Sequence, residues 1–291
     1  MLSILMSVKN EVRYIESALR SIEPASSTDL EVVVVDDGST DSTPDLVESL
    51  KLPFVKLVRT PGIGKAAAYS LAYAHAQGSC FVLFAGDDLL VPEVLEKRIA
   101  PLRTRETDIP AVTFCKLRSF SEHEKYDGMV LPKNIGLGLE SGGCIAFNRK
   151  FAEQAFPIPS NLANEDSWLM LQVRYLGVKV DHIPLVGLLY RIHENNSYRR
   201  GVSFTQVNEQ MWLRQRAIFY FYEKYRDRLS AEQQRQILLE FSLQLLRYLG
   251  KPLLLMSLSG LSLNARIKSL FNSTSTLYSV RERFYKFFSG R

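Results

Sequence analysis

The sequence contains few cysteines and no long apolar run, and both absences limit what the protein can be. Its 291 residues include three cysteines, which are widely spaced and form no CxxC pair. This pattern disfavours a disulfide framework and a cysteine-based zinc site, and it is typical of reduced, structural thiols. The longest apolar stretch beyond the N-terminus, residues 252–263, is too short to span a bilayer and is interrupted by Ser257, Ser259 and Gly260. No signal-peptide pattern opens the chain, so we expect a cytoplasmic protein.

Charge is unevenly distributed along the chain. Residues 1–190 contain 19 Lys and Arg against 24 Asp and Glu, whereas residues 191–291 contain 17 against 7. The basic part is also rich in aromatic residues, namely Trp212, Tyr220, Tyr222, Tyr225, Phe284, Tyr285, Phe287 and Phe288. This composition suits an anionic membrane surface or another polyanion, although a solvated face of a helical region accounts for it equally well.

Short β-rich runs alternate with segments of helical periodicity from residue 1 to about residue 112. Such alternation predicts parallel strands joined by right-handed helical crossovers, and therefore a doubly wound α/β sheet. The next part of the chain is less regular and predicts further strands, with a helix that begins near Asp166 and a strand that ends near Tyr190. The apolar spacing over residues 201–291 is mainly helical. We therefore expect an α/β domain over residues 1–200, followed by a basic helical region.

Two common nucleotide-binding motifs are missing. The turn after the first predicted strand has no GxGxxG, which disfavours a dinucleotide-dependent dehydrogenase, and the segment around Lys65 does not match a P-loop. Acidic residues follow the strands instead, at the edge where doubly wound sheets bind ligands. Asp36 and Asp37 end the run VVVV, where they suit hydrogen bonds from a ribose or a base N–H. A helix-capping turn is the alternative for this pair, and a solvated side chain is the alternative for Lys65.

Two further acidic pairs occupy positions where a cation or hydrogen-bond donors are expected to contact them. Asp87 and Asp88 end the apolar run FVLFAGDD, and carboxylates beside a core cost free energy unless a cation or hydrogen-bond donors meet them. Glu165 and Asp166 stand at a predicted helix start. A carboxylate there serves either as a helix cap or as a general base.

The ordered motifs SILMSVKNE, VVVVDDGSTDST, GIGKAAAYS, FAGDDLL, NEDSWLML and YRIHENNS together resemble the family 2 glycosyltransferases, which are inverting enzymes of the GT-A fold. The resemblance covers about residues 1–200, and the helical C-terminal region has no counterpart in it. It implies a GT-A-type doubly wound mixed sheet with a helical C-terminal extension. In that arrangement residues 1–112 bind the nucleotide and residues 113–200 bind the acceptor.

The resemblance also implies which residues bind the nucleotide-sugar. They are Ser7, Lys9, Glu11, Asp36, Asp37, Lys65 and Asp87. Asp37 is expected to accept the N3–H of uracil, with Asp36 nearby. The match at Lys65 is partial, because Ser70 stands where related enzymes carry an asparagine.

The family's metal motif matches AGDD, with Ala85 in place of the more common aspartate. The resemblance implies that Asp88 binds a divalent metal, that Asp87 contacts the metal or the ribose, and that His193 joins the metal's shell. Mg²⁺ or Mn²⁺ is the expected ion, since carboxylate and diphosphate oxygens are hard ligands.

Asp166 matches the family's catalytic base. The resemblance implies that it takes the proton of the acceptor hydroxyl in a single in-line displacement, which inverts the anomeric carbon. Glu165 and Arg191 are expected to orient the acceptor or to support the loop that closes over the diphosphate.

The expected function is transfer of a hexose from a nucleotide-diphosphate sugar, with UDP as the nucleotide, to a glycan or lipid-linked acceptor in surface polysaccharide biosynthesis. The basic region suggests a peripheral location at the inner face of the membrane, and nucleic acid is not expected as a partner. Two alternatives stay open. One is a GT-A-like nucleotidyltransferase, disfavoured because the first turn has no Gly-rich basic signature, and the other is a non-enzymatic protein that binds polyanions or membranes.

Overall fold

A computed structural model describes residues 1–25, 29–104, 108–121, 124–194, 196 and 202–283. The chain divides into two compact units, Met1–His193 and Glu194–Arg291. The predicted boundary between residues 200 and 201 lies outside the described residues, and so do the aromatic residues of 284–288.

The first unit is built on one nine-stranded sheet. Its strands are β1 (Leu2–Val8), β2 (Leu30–Asp37), β3 (Val55–Thr60), β4 (Cys80–Ala85), β5 (Leu89–Leu90), β6 (Ala111–Ser121), β7 (Val130–Leu131), β8 (Ile145–Asn148) and β9 (Lys179–Ile192). The strand order is β3-β2-β1-β4-β8-β6-β9-β5, with β7 paired to β6. Strand β8 runs against β4 and β6, whereas β1 to β4, β6 and β9 all run in one direction. The carboxyl ends of β1, β2, β4 and β9 therefore meet at one edge of the sheet.

In the described part of the first unit, six helices accompany this sheet. They are α1 (Ile15–Ile22), α2 (Thr43–Ser49), α3 (Lys65–His75), α4 (Pro92–Arg103), α5 (Arg149–Ala155) and α6 (Asp166–Tyr175). All four valines of the run at 32–35 are fully buried, because a central strand of such a sheet is covered on both faces. Helix α4 begins with Pro92, whose fixed φ and missing N–H suit the first turn of a helix.

The second unit is helical, with α7 (Phe204–Tyr225), α8 (Ala231–Tyr248), α9 (Pro252–Ser257), α10 (Leu263–Leu270) and α11 (Ser275–Arg283). Helices α7 and α8 each begin with a capping box, in which a serine and the glutamine three residues later exchange hydrogen bonds. Arg247 is buried between these two helices and donates hydrogen bonds to Asn208 and Gln244. Trp212 stacks on Tyr248 with 4.8 Å between the ring centroids. No helix in the described part of the chain is both long and apolar enough to cross a membrane.

The predicted fold class is confirmed, including the mixed sheet and the helical C-terminal part. The predicted start of a helix near Asp166 is also correct. Helix α5 and the two-residue strand β5 were not predicted, whereas α9 and α11 were not predicted individually but lie in the region expected to be mainly helical. Strand β5 pairs antiparallel with β9, and this pairing brings the segment after β4 next to the end of β9.

Candidate active site

Asp37, at the end of β2, holds the turn that follows β3. Its carboxylate accepts the backbone N–H of Ile63 at 2.5 Å and that of Gly64 at 3.1 Å. Asp36 is also buried; its Oδ2 accepts the N–H of Ser39, whereas its Oδ1 has no hydrogen-bond partner among the described residues. A buried carboxylate oxygen without a donor is costly, so this edge of the sheet is complementary to a ligand N–H or O–H.

Glycines allow the turns after β2 and β3 to touch. Gly38 has φ +74°, and a Cβ there would lie 2.8 Å from the backbone nitrogen of Gly62. Gly62 itself has φ +99°. Both positions therefore favour glycine. Gly38 is needed for its backbone conformation and for the close contact, and Gly62 for its backbone conformation.

The turn after β1 is tied to the turn after β2 by Asn10. This residue has φ +57°; its side-chain oxygen accepts the N–H of Thr40 at 2.8 Å, and its own N–H donates to the Ser39 hydroxyl at 2.9 Å. Ser7 lies one residue before the end of β1, level with Ala85 on β4. The nucleotide-binding turns predicted from the sequence thus lie against one another at the edge of the sheet.

Glu11 and Lys9 complete this first turn. The N–H of Glu11 donates to the Thr43 hydroxyl at 2.8 Å. Burial, together with the charges of Asp87 and Asp41, raises the pKa of Glu11 to about 8. The ammonium group of Lys9 extends toward the Gly62 turn.

The aspartate pair after β4 is held by the end of β9. Asp88 is 3% exposed, and its Oδ1 accepts the backbone N–H of Arg191 at 2.9 Å. The guanidinium of Arg191 donates to the backbone carbonyl of Asp87 at 2.7 Å. His193 Nε2 lies 3.0 Å from Asp87 Oδ2. The two aspartates that follow β4, Arg191 at the end of β9 and His193 just after β9 therefore form a single cluster.

Arg191 is fixed by two aromatic rings as well as by its hydrogen bonds. Its guanidinium carbon lies 4.6 Å from the ring centroid of Tyr14 and 4.4 Å from that of Phe120. Such stacking immobilises a guanidinium, so Arg191 supports the aspartate pair in this structure. The ring of Tyr14 also lies 4.8 Å from that of His193.

The cluster fits a divalent cation electrostatically. Burial raises the pKa of Asp88 well above its usual range, and the adjacent charge of Asp87 raises it further. The pKa of Glu11 is raised for similar reasons. The carboxylates around this cluster therefore carry more negative charge than the neighbouring cations neutralise. Within the described ranges, no three His, Cys, Asp or Glu side chains already form a set that could hold a metal ion. A metal ion at Asp87, Asp88 or His193 would therefore need ligand oxygens or water to complete its coordination shell.

The second acidic pair begins α6 and faces the 3₁₀ turn at Gly142–Cys144. The N–H of Gly142 donates to Asp166 Oδ1 at 3.0 Å. Glu165 is 4% exposed, and its Oε2 lies 3.2 Å from the ammonium nitrogen of Lys65. Burial opposes ionisation of Glu165, but the charge of Lys65 lowers its pKa below the usual value. Both carboxyl groups therefore have defined partners.

Lys65 contacts one acidic group of the site and acts through its charge on the other. Burial opposes its charge, but Glu165 and Asp166 raise its pKa above the ordinary value. Its charge also offsets part of the rise in the pKa values of Asp88 and Glu11. The structure thus brings the predicted lysine of the first half next to the predicted acids of the second half.

Several residues of this site were not predicted from the sequence, including Asn10, Tyr14, Phe120 and Gly142. Asparagine is the non-glycine residue that most readily adopts a positive φ, so Asn10 in the motif KNE was a detectable signal. Tyr14 and Gly142 carry no such signal, because their contacts are with residues far away in the chain. All predicted site residues lie in the first unit.

Comparison with known proteins adds independent information. The sequence profile described as glycosyl transferase family 2 matches residues 3–156. An uncharacterised glycosyltransferase of Nostoc sp. is 25% identical over 228 residues, which are 72% of this chain and 70% of that protein. The succinoglycan biosynthesis protein ExoO of Rhizobium meliloti is 29% identical over 65% of this chain and 58% of its own length.

Solved structures share the fold at low sequence identity. S. aureus TarS residues 1–349 in complex with UDP-GlcNAc superposes with a TM-score of 0.62 and 18% identity, covering 96% of this chain and 83% of that one. The mannosyltransferase PcManGT from Pyrobaculum calidifontis, in complex with GDP-Man and Mn²⁺, superposes with a TM-score of 0.59 and 18% identity, covering 98% and 87%. At these identities the likeness shows the fold alone.

Proposed function

The chain belongs to glycosyl transferase family 2, and from that premise we propose that it transfers a hexose from a UDP-sugar to a glycan or lipid-linked acceptor, with inversion of the anomeric carbon. The name of ExoO supports a role in the synthesis of a surface polysaccharide. The observation that carries the proposal is the hydrogen-bonded Asp166, which shares a charged network with the aspartate pair after β4.

A nucleotide-sugar donor suits the turns at the edge of the sheet. The complexes of TarS with UDP-GlcNAc and of PcManGT with GDP-Man support this class of donor. Asp37 accepts the N3–H of the uracil, and the unpartnered Oδ1 of Asp36 accepts a further donor from the nucleotide. Ser7, Lys9 and Glu11 line the base and the ribose.

Asp87, Asp88 and His193 hold the divalent metal in this proposal, and Arg191 keeps the two aspartates in place. The complex of PcManGT with Mn²⁺ supports Mn²⁺ as the ion, and Mg²⁺ suits the same oxygen ligands. When bound, the ion neutralises the negative charge that develops on the leaving nucleotide diphosphate.

Asp166 is the general base. It takes the proton of the acceptor hydroxyl as that oxygen forms a bond to the anomeric carbon. The bond from the anomeric carbon to the diphosphate oxygen breaks on the opposite face of the sugar, and the diphosphate leaves with the electron pair. One displacement inverts the anomeric carbon, so no covalent sugar–enzyme intermediate is needed.

A donor panel with two variants tests this function. Full-length protein with Mn²⁺ and a set of UDP-, GDP- and dTDP-sugars is expected to hydrolyse or transfer at least one donor. Asp166→Asn is expected to lower turnover about a hundredfold or more while UDP binding stays unchanged. Glu140→Gln serves as the control, because Glu140 is an exposed acid close to the turn at Gly142–Cys144 that contacts Asp166.

Two results would contradict the proposal. Loss of UDP binding in Asp166→Asn would mean that this carboxylate binds the donor. Release of pyrophosphate from a nucleoside triphosphate and a sugar phosphate would identify a nucleotidyltransferase instead.

We further propose that the second unit contacts the anionic inner face of the membrane. The segment 249–263 exposes four leucines, Leu249 at 53%, Leu253 at 85%, Leu254 at 57% and Leu263 at 56%. Lys251 lies among them and is exposed. Exposed leucines beside basic residues suit insertion into the interface of an anionic bilayer, where a lipid-linked acceptor is available.

A further inference from the structure

One series of contacts joins the nucleotide-side turn to the proposed base. Asp37 holds the backbone N–H groups of residues 63–64, and the next residue, Lys65, is the first residue of α3. The ammonium nitrogen of Lys65 lies 3.2 Å from Glu165 Oε2, and Glu165 Oε1 and Asp166 Oδ1 both lie beside Gly142. The turn that Asp37 holds therefore leads directly to a lysine in contact with Glu165, the neighbour of the proposed base Asp166.

The ion pair between Lys65 and Glu165 is favoured because Glu165 is buried. Glu165 is almost fully buried, and an ion pair that loses its cation leaves an uncompensated charge in the interior. The groups whose charges act on Lys65 and Glu165 come from several elements: Glu11, Tyr69, Asp88 and Asp166. Lys65 is the cation closest to Glu165 in the described ion pairs.

Gly142 fixes the opposite side of the base. Its N–H donates to Asp166 Oδ1, and a Cβ at this position would lie 2.1 Å from that oxygen and 2.9 Å from Glu165 Oε1. Real Cβ atoms do not approach an oxygen so closely, so any side chain here must displace the Asp166 carboxylate. Gly142 has no positive φ, so its requirement comes from this contact and not from the conformation of its backbone.

We propose that Lys65 and Gly142 are positioning residues for the general base: Lys65 acts through Glu165 and through its positive charge beside the acidic pair, Gly142 acts through its N–H, and together they fix the position of the Asp166 carboxyl group. The proposal rests on the proposed function of Asp166. It gives Lys65 a different role from the nucleotide contact expected by family resemblance.

The test for Lys65 compares Lys65→Met with Lys65→Arg in the full-length protein. Removal of the cation raises the pKa of the Glu165–Asp166 pair, and the base acts only when it is ionised. The acidic limb of the kcat profile is therefore expected to move to higher pH by about one unit in Lys65→Met. On the acidic side of that limb, turnover falls about tenfold for a shift of about one unit. The UDP dissociation constant stays within about threefold, and Lys65→Arg restores the position of the limb.

A second readout does not depend on activity. Titration of the carboxyl carbon of Glu165 by NMR, without donor, is expected to show a higher pKa in Lys65→Met than in the wild type. An unchanged Glu165 titration would overturn the proposal. Failure of the proposed function is seen separately, as a wild type that turns over no nucleotide-sugar.

Gly142→Ala tests the other side of the base, with Gly143→Ala as a matched control in the same turn. A Cβ at Gly143 would meet the movable Cδ2 of Leu188 and no carboxylate. Gly142→Ala is expected to lower kcat about tenfold to a hundredfold without weakening UDP binding, whereas Gly143→Ala changes kcat little. Equal effects of the two substitutions would contradict the positioning role of Gly142. For Lys65, a weaker affinity for UDP with an unmoved pH profile would overturn its role and favour a direct contact with the nucleotide.

Discussion

Asp88 is the residue on which the proposed metal site depends most. It is almost fully buried, its Oδ1 is already used by the N–H of Arg191, and Ala85 supplies no additional acid. Asparagine keeps an oxygen for that N–H while it removes the charge. The effect of the charge can therefore be separated from the effect of the fold.

We expect Asp88→Asn to lower the affinity for Mn²⁺ in the presence of UDP about tenfold or more, and to lower turnover by a larger factor. Calorimetry measures the first and a donor-hydrolysis assay the second. Melting temperature is expected to stay within a few degrees of the wild type. Asp45→Asn, which removes a carboxylate that is 72% exposed, is the control. Unchanged Mn²⁺ affinity in Asp88→Asn would remove this residue from the metal site.

At the level of elements, the contact between two turns shapes the nucleotide side of the site. Gly38 and Gly62 lie against each other through bare backbone, and Asp37 ties the same turns together by hydrogen bonds. Gly128 offers a matched comparison. Its φ is +67°, close to the +74° of Gly38, but a Cβ there would meet nothing within 4 Å.

Alanine at either glycine is expected to cost about 1 kcal/mol for the left-handed conformation. Gly38→Ala is expected to cost about 1–3 kcal/mol more, because its Cβ meets the backbone of the neighbouring turn. It should also weaken UDP binding, which Gly128→Ala leaves unchanged. Hydrogen exchange of the β2 and β3 amides and calorimetry with UDP measure the two effects. Equal stability losses would mean that the turns separate without cost.

At the scale of the whole molecule, charge separates the first unit from the second. Residues 1–193, the first unit, have a formal net charge of −4, and residues 194–291, the second unit, have one of +9. The exposed leucines of segment 249–263 lie in the basic part. Attraction to anionic lipid and insertion of apolar side chains are expected to act together, and they respond differently to salt.

We expect the full-length protein to bind vesicles that contain phosphatidylglycerol and to bind them less well as salt increases. The double substitution Leu253→Glu, Leu254→Glu is expected to lower partition about tenfold or more. Ile135→Glu is the control, since Ile135 is 88% exposed but belongs to the acidic first unit. Partition that is unaffected by the leucine substitutions would exclude this segment as the membrane contact.

Much of the site was predictable because its components are local in the chain. Apolar runs that end in Asp37 and in Asp88 put acids at the ends of strands, and the topology of a doubly wound sheet brings those ends together. The helix start at Asp166 follows from the motif NEDSW. The partners of these residues were not predictable. The contact of Asp88 with Arg191 spans more than a hundred residues and depends on the pairing of β5 with β9.

The sequence by itself determined the fold class, the glycosyltransferase family and the identity of the acids that follow the strands, because periodicity and motif order are properties of neighbouring residues. Only the tertiary structure decided which side chains meet. It paired Lys65 with Glu165, set the N–H of Gly142 against Asp166, and stacked Arg191 between two aromatic rings. Those contacts come from the packing and register of distant elements, which the linear order of residues does not specify.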